Sequence, residues 1–237
     1  MRRCSGSSAP STPVAPLRPE HANPPAPLYG VDLLYDRSVD APRDPDVRRV
    51  EGDVPRAGRQ LLDRHTYSRF RPGRATTRLQ VIDRHPEADP VDRVRAVRTK
   101  VAELCVTEPP LAVAWYPSQQ WVDPELLLDR QPGSPFGEQP LYGVANVRFF
   151  RGAPRGPTRM DTIGLAALGW PDLQLQLDGQ PPPLGARVLY EVASGLYLRQ
   201  IALDGPWLVA GTRRMRWAPA PCLDGPRRRV WDLRPWA

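Results

Sequence analysis

The chain has 237 residues, 41% of them apolar, which is enough for a real core, and a formal net charge of +7 carried almost wholly by arginine, Lys100 being the lone lysine. Arginine pairs bidentately with carboxylates, and 26 acids are present to receive it, so the basicity is weak evidence for a nucleic-acid partner. Cys4, Cys105 and Cys222 are widely spaced without a CxxC pair, which excludes paired-cysteine zinc and thioredoxin-type motifs and argues against a disulfide framework, and no apolar run approaches the roughly 18 residues of a membrane span.

Residues 1–27 are Ser, Pro and Ala with few large apolar groups, and they read as a disordered tail ahead of a single domain over 28–237. Met1-Arg2-Arg3-Cys4 carries charge with no apolar region behind it, so it fails as a secretory signal and the expected location is cytoplasmic. A first strand is expected at 28–35. The interleaved acids and arginines of 36–59 read as a solvated loop whose spacing matches no calcium site. A strand at 76–82 leads to the strongest helix signal. Asp89 caps it, Pro90 takes the first helical position and Asp92 lies near the positive end of the dipole. Behind them Val91, Val94, Val97, Val101, Leu104 and Cys105 share one helical face.

A strand at 111–116 ends at Pro117, and Asp123-Pro124-Glu125 repeats the capping pattern for a short helix to 129. Residues 141–150 are long enough for a central strand. From Met160 to Leu173 the expectation is a short helical turn, with Asp161 and Thr162 accepting from its first N–H groups and Gly169 and Pro171 stopping it. Leu173, Leu175 and Leu177 alternate with glutamines, as in a strand with one wet face. Asp178-Gly179 then turns the chain. A second helix follows Pro181-Pro182-Pro183, with Val188, Leu189, Val192, Ala193, Leu196 and Tyr197 on one face. Strands at 207–210, 213–217 and 229–233 complete the series. Their irregular mixing predicts an α+β fold: a mixed, largely antiparallel sheet with two main amphipathic helices packed on one face.

Asp83-Arg84-His85-Pro86, then Ala112-Val113-Ala114-Trp115-Tyr116-Pro117-Ser118, then Asp161-Thr162-Ile163-Gly164-Leu165 with Leu168-Gly169-Trp170-Pro171-Asp172-Leu173, and the closing strands occur in that order. The series resembles bacterial proteins of domain of unknown function family 4261, over roughly residues 76–235. The resemblance supports the fold and implies no activity, because the family brings no catalytic residues to carry over.

Chemistry is sparse. There is no GxSxG, GxGxxG or GxxxxGK[ST]. His85 beside Asp83 is a weak candidate for acid–base work, with a surface turn as the plainer reading. Asp161 is another, possible in a pair with Asp172, though capping and turn roles account for both. Ser118 is a loop serine and Cys105 an inert core thiol by position. No cofactor or metal is expected. The remaining signal is the C-terminal alternation of tryptophans with seven arginines against Asp224 and Asp232. Trp217, Arg227, Arg228, Arg229 and Trp231 are the interface candidates, weighed against core tryptophans with solvated charge. The function expected is non-enzymatic binding of another protein, as an accessory or immunity-type partner. The alternatives are nucleic-acid binding by the same strands and an uncharacterised hydrolase.

Overall fold

A computed structural model describes residues 30–51, 75–85, 87–128, 141–150, 158–177, 179–210, 213–223 and 228–235. The strands divide between two sheets. In the first, β1 (Gly30–Tyr35), β2 (Val47–Val50), β3 (Thr77–Ile82), β4 (Ala112–Trp115) and β5 (Gln120–Val122) lie in the order β2-β3-β1-β4-β5, antiparallel throughout. The second contains β6 (Asn146–Phe150), β7 (Thr158–Ile163), β8 (Asp172–Leu177), β9 (Ile201–Asp204), β10 (Trp207–Ala210), β11 (Arg213–Pro221) and β12 (Arg229–Pro235). Its order is β6-β7-β8-β12-β11-β10-β9, and only the β8–β12 pair is parallel. With α1 (Pro90–Thr107), α2 (Pro124–Leu128), α3 (Pro182–Tyr197) and a 3-10 turn at Leu165–Leu168, the fold is α+β.

The expected arrangement of both long helices on one face of one sheet is corrected: α1 packs on β1 and β3, and α3 on β6 to β10. Periodicity reports which face of a strand is apolar and is silent on which strands pair, so one sheet and two give the same local pattern. The main apolar cluster still runs through both halves, from Leu33, Val97 and Trp115 to Leu173, Leu189 and Trp231. Two polar ties cross the junction. Tyr197 Oη at the end of α3 donates to the Val91 carbonyl at 3.3 Å. Arg93 of α1 donates through Nε to Asp83 Oδ2 at 2.6 Å and through Nη1 to the carbonyl of Ala167 at 3.2 Å.

Local signals account for α1. The Val91 N–H donates to Asp89 Oδ1 at 2.9 Å, and Val94, Val97, Val101 and Cys105 are buried. Three other expectations change. The 36–59 loop contains β2, where Val47 is buried and Arg48 and Arg49 point outward, a pattern with too few apolar residues to announce a strand. The 141–150 strand is only β6, and it forms an edge of its sheet. Residues 141–145 form a turn instead, with Gly143 at φ +77° set so closely against the Trp115 indole that a Cβ would lie 2.9 Å from its nitrogen. Asp161 and Thr162 belong to β7 and cap nothing; the first N–H of the 3-10 turn, that of Leu165, donates to Asp172 Oδ1 at 3.1 Å.

In β8, Leu173, Leu175 and Leu177 are buried and Gln176 is exposed, as the alternation predicts. Gln174 departs from that pattern, being buried with its Oε1 accepting the Leu223 N–H at 3.0 Å. Among the described residues no helix is long and apolar enough to cross a membrane. The tail of 1–27, and with it His21 and Cys4, lies outside the described residues, as do His65 and Arg227.

Candidate functional site

Register assembles a polar row that no single segment shows. Arg148 of β6 lies opposite Asp161 of β7, Asp161 opposite Gln174 of β8, and Gln174 opposite Asp232 of β12. Residues directly opposite share a face, so these side chains stand together while the leucines of β8 point the other way, into the core. Arg148 grips Asp161 with both branches, Nε to Oδ1 at 2.9 Å and Nη2 to Oδ2 at 2.6 Å, with the two side chains only 7% and 2% exposed. Arg228, just before β12, adds Nη2 to Asp161 Oδ2 at 2.5 Å and to the Thr162 carbonyl at 3.1 Å. Its Nε lies 3.1 Å from Asp172 Oδ2. Thr162 Oγ1 accepts the Leu173 N–H at 2.8 Å, and the Cys222 thiol lies 3.7 Å from Asp161 Oδ2.

Burial pushes the Asp172 carboxyl up to about 6, against the opposing pull of Arg228 and the Leu165 N–H. A carboxyl held above its ordinary value binds its proton more tightly in the native state than in the unfolded chain. Its contribution to stability is therefore fully present below about pH 4 and is lost as pH rises through about 6. At about 1.4 kcal/mol per pH unit, the change amounts to about 3 kcal/mol. Chemical denaturation of wild type and Asp172→Asn should show the variant gaining on wild type by that order between pH 4 and 7.5. Parallel stability curves for the two proteins would exclude Asp172 as the titrating group.

The first sheet carries a second polar cluster. Asp32 of β1 is fully buried and accepts from Tyr116 Oη and, at 2.9 Å, from Gln80 Nε2, with Arg78 Nε 3.0 Å away. Burial raises its carboxyl above the usual range. Gln80 Oε1 accepts in turn from Arg48 Nε at 3.0 Å and Nη2 at 2.6 Å. The two clusters face each other across a cleft of about 520 Å³ between the sheets. Arg48, Gln80 and Tyr116 line it on one side, Asp172 and Arg228 on the other. Ile82, Pro117, Ile163 and Ala166 supply apolar wall between them.

A third feature is the outer face of β10 to β12. Trp207 lies opposite Arg216, and Arg216 opposite Arg234. Arg214, Arg216 and Arg234 are exposed, and the guanidiniums of Arg214 and Arg216 stand 4.5 and 5.7 Å from the Trp207 ring centre. Asp204 lies 3.5 Å from Arg214, and Asp232 lies 3.4 Å from Arg234.

The structure does not gather the sequence candidates into one surface. Trp231 is 1% exposed, because β12 is a central strand covered on both sides. Trp217 is half-buried and packs on it with ring centres 4.5 Å apart. Arg228 turns inward onto Asp161 and Asp172, while Arg229 remains exposed. His85 is an exposed surface residue, its side chain 72% accessible and its Nδ1 3.3 Å from Glu87. Asp161 is held by two guanidiniums far from any histidine-bearing segment of the fold. Ser118 is buried with its hydroxyl donating to the Trp115 and Gly143 carbonyls. Burial of Cys105 pushes its thiol up to about 12, as suits an inert core residue.

Sequence reading missed Arg48, Asp32, Gln80, Tyr116 and Arg148. Arg148 alone left a local trace, a charge set between Val147 and Phe149 in an apolar strand. Among the described residues no group of three His, Cys, Asp or Glu side chains is placed to hold a metal ion. Comparison with protein-family models, with curated proteins and with solved structures gives no match.

Proposed function

We propose that this chain is a non-enzymatic cytoplasmic protein that works by binding another protein, through an acidic surface of that partner laid on the outer face of β10 to β12. The observation that carries the reading is the register of Arg216 against Arg234. Like charges directly opposite on a sheet destabilise it, so folding alone gives no reason for the pair. Arg216 has no carboxylate within ion-pair distance among the described residues, and Arg214 stacks beside it on Trp207. Arginine and tryptophan together are the residues that dominate protein interfaces. Nucleic acid has less support from the same face, since the Trp207 ring already carries two guanidiniums and Trp217 and Trp231 pack on each other. The locked Asp161 and the exposed His85 weigh against a hydrolase. The resemblance to domain of unknown function family 4261 adds no activity to this proposal.

Tagged wild type should capture a discrete protein from native lysate after nuclease treatment, and Arg216→Ser/Arg234→Ser should capture at least tenfold less. The same variant should melt no lower than wild type, because a repulsion has been removed. Undiminished capture by the variant would remove this face from consideration. Capture abolished by nuclease, with a steep loss on adding salt, would transfer the face to nucleic acid.

A further inference from the structure

The cleft between the sheets is a separate feature from the outer face of β10 to β12, and its chemistry is one-sided. Tyr116 Oη and the Gln80 amide are already engaged with Asp32 and Arg48. Asp172 is occupied as well, Oδ1 by the Leu165 N–H and Oδ2 by Arg228. The donors left over are guanidinium N–H groups. Arg228 Nη1 is buried at the cleft wall and donates to nothing among the described residues. Arg48 uses Nε and Nη2 on a single oxygen of Gln80, and a guanidinium has five N–H donors, so several remain.

Charge points the same way. The clusters behind the two walls hold Arg48, Arg78, Arg148 and Arg228 against only Asp32, Asp161 and Asp172, one positive charge in excess. Leaving a buried polar donor unsatisfied costs about 1–3 kcal/mol, which a bound acceptor would recover. The rest of the wall is apolar, and a volume of about 520 Å³ lies in the ordinary range for small-molecule pockets.

We infer that the cleft binds a small, singly charged oxyanion carried on an apolar body, such as an aromatic or aliphatic carboxylate, with Arg228 and Arg48 holding the anionic oxygens and Ile82, Ile163 and Ala166 covering the body. A dianion would overshoot the single excess charge. A neutral molecule would leave Arg228 Nη1 unpaired.

Benzoate is a suitable probe, followed by amide chemical shifts of the full chain, with benzyl alcohol and inorganic phosphate as controls. Saturable shifts are expected at Gly30, Gly164 and Ala166, with affinity for benzyl alcohol and phosphate each at least tenfold weaker. Arg48→Gln removes an exposed side chain and should leave the fold intact while weakening benzoate at least tenfold. Ala166→Phe, which fills the space from the opposite wall, should do the same. Unsaturable drift with benzoate would overturn the inference, as would equal binding of the alcohol or an Arg48→Gln protein that binds like wild type. Preference for phosphate over benzoate would overturn the apolar body.

Discussion

Asp161→Ala should destabilise the protein by about 3–5 kcal/mol, the cost of breaking a buried ion pair from one side. Arg148 is only 7% exposed and has its two carboxylate contacts with Asp161 alone, so the substitution strands a guanidinium where water cannot reach it. Arg228 would keep Asp172 but lose its 2.5 Å partner. Against a typical native stability of about 5–15 kcal/mol, such a loss is a large fraction of the total. Urea denaturation at neutral pH reads it directly. The companion Arg148→Met/Asp161→Leu should recover most of the loss, because an apolar pair of similar volume leaves no charge buried alone. If the single variant loses less than about 1 kcal/mol, the pair behaves as a solvated surface bridge and the buried network is wrong.

Gly164→Ala should be comparably severe for a steric reason. Gly164 joins β7 to the 3-10 turn at φ +119°, a conformation that side chains rarely adopt. A Cβ there would sit 2.3 Å from the Val144 carbonyl oxygen and 3.2 Å from Ser118 Cα, both backbone atoms. Neither can rotate away. Adding about 1–2 kcal/mol for the left-handed backbone to about 1–3 for overpacking gives a loss of about 3 kcal/mol, or a melting temperature lower by about 10 °C. Gly179→Ala is the control. Its φ is +77° with nothing within 4 Å, so only the backbone part, about 1–2 kcal/mol, should appear. Equal losses in the two variants would show that the close approach to Val144 and Ser118 plays no part.

The helices were legible because their causes are local. Asp89 caps a neighbour two residues away, and the α1 stripe repeats within its own length. The strands were legible as apolar alternations, yet their partners were not, and the candidate sites depend on partners. Asp161 looked like a cap because an aspartate before an apolar run often is one; Arg148, thirteen residues earlier, makes it the centre of an ion network. Trp231 looked like an interface residue for want of any local sign that its strand would be central. The pairing that buries it joins residues 58 apart, as in the Gln174–Asp232 contact. Asp32 was hidden in a similar way, since the residues that enclose it, Gln80 and Tyr116, stand 48 and 84 positions along the chain.

The position of β12 has a consequence for how the molecule is made. It follows every other described strand in the chain, yet it lies fourth in a sheet of seven, between β8 and β11. As the polypeptide leaves the ribosome, β6 to β8 and β9 to β11 can form only as two separate ribbons, each with an unpaired flank where the missing strand belongs. The gap closes only when β12 arrives and pairs parallel on one side and antiparallel on the other. Until then the nascent chain exposes two open hydrogen-bonding edges and an apolar slot for Trp231, the period in which it is most vulnerable to aggregation and most dependent on chaperone protection.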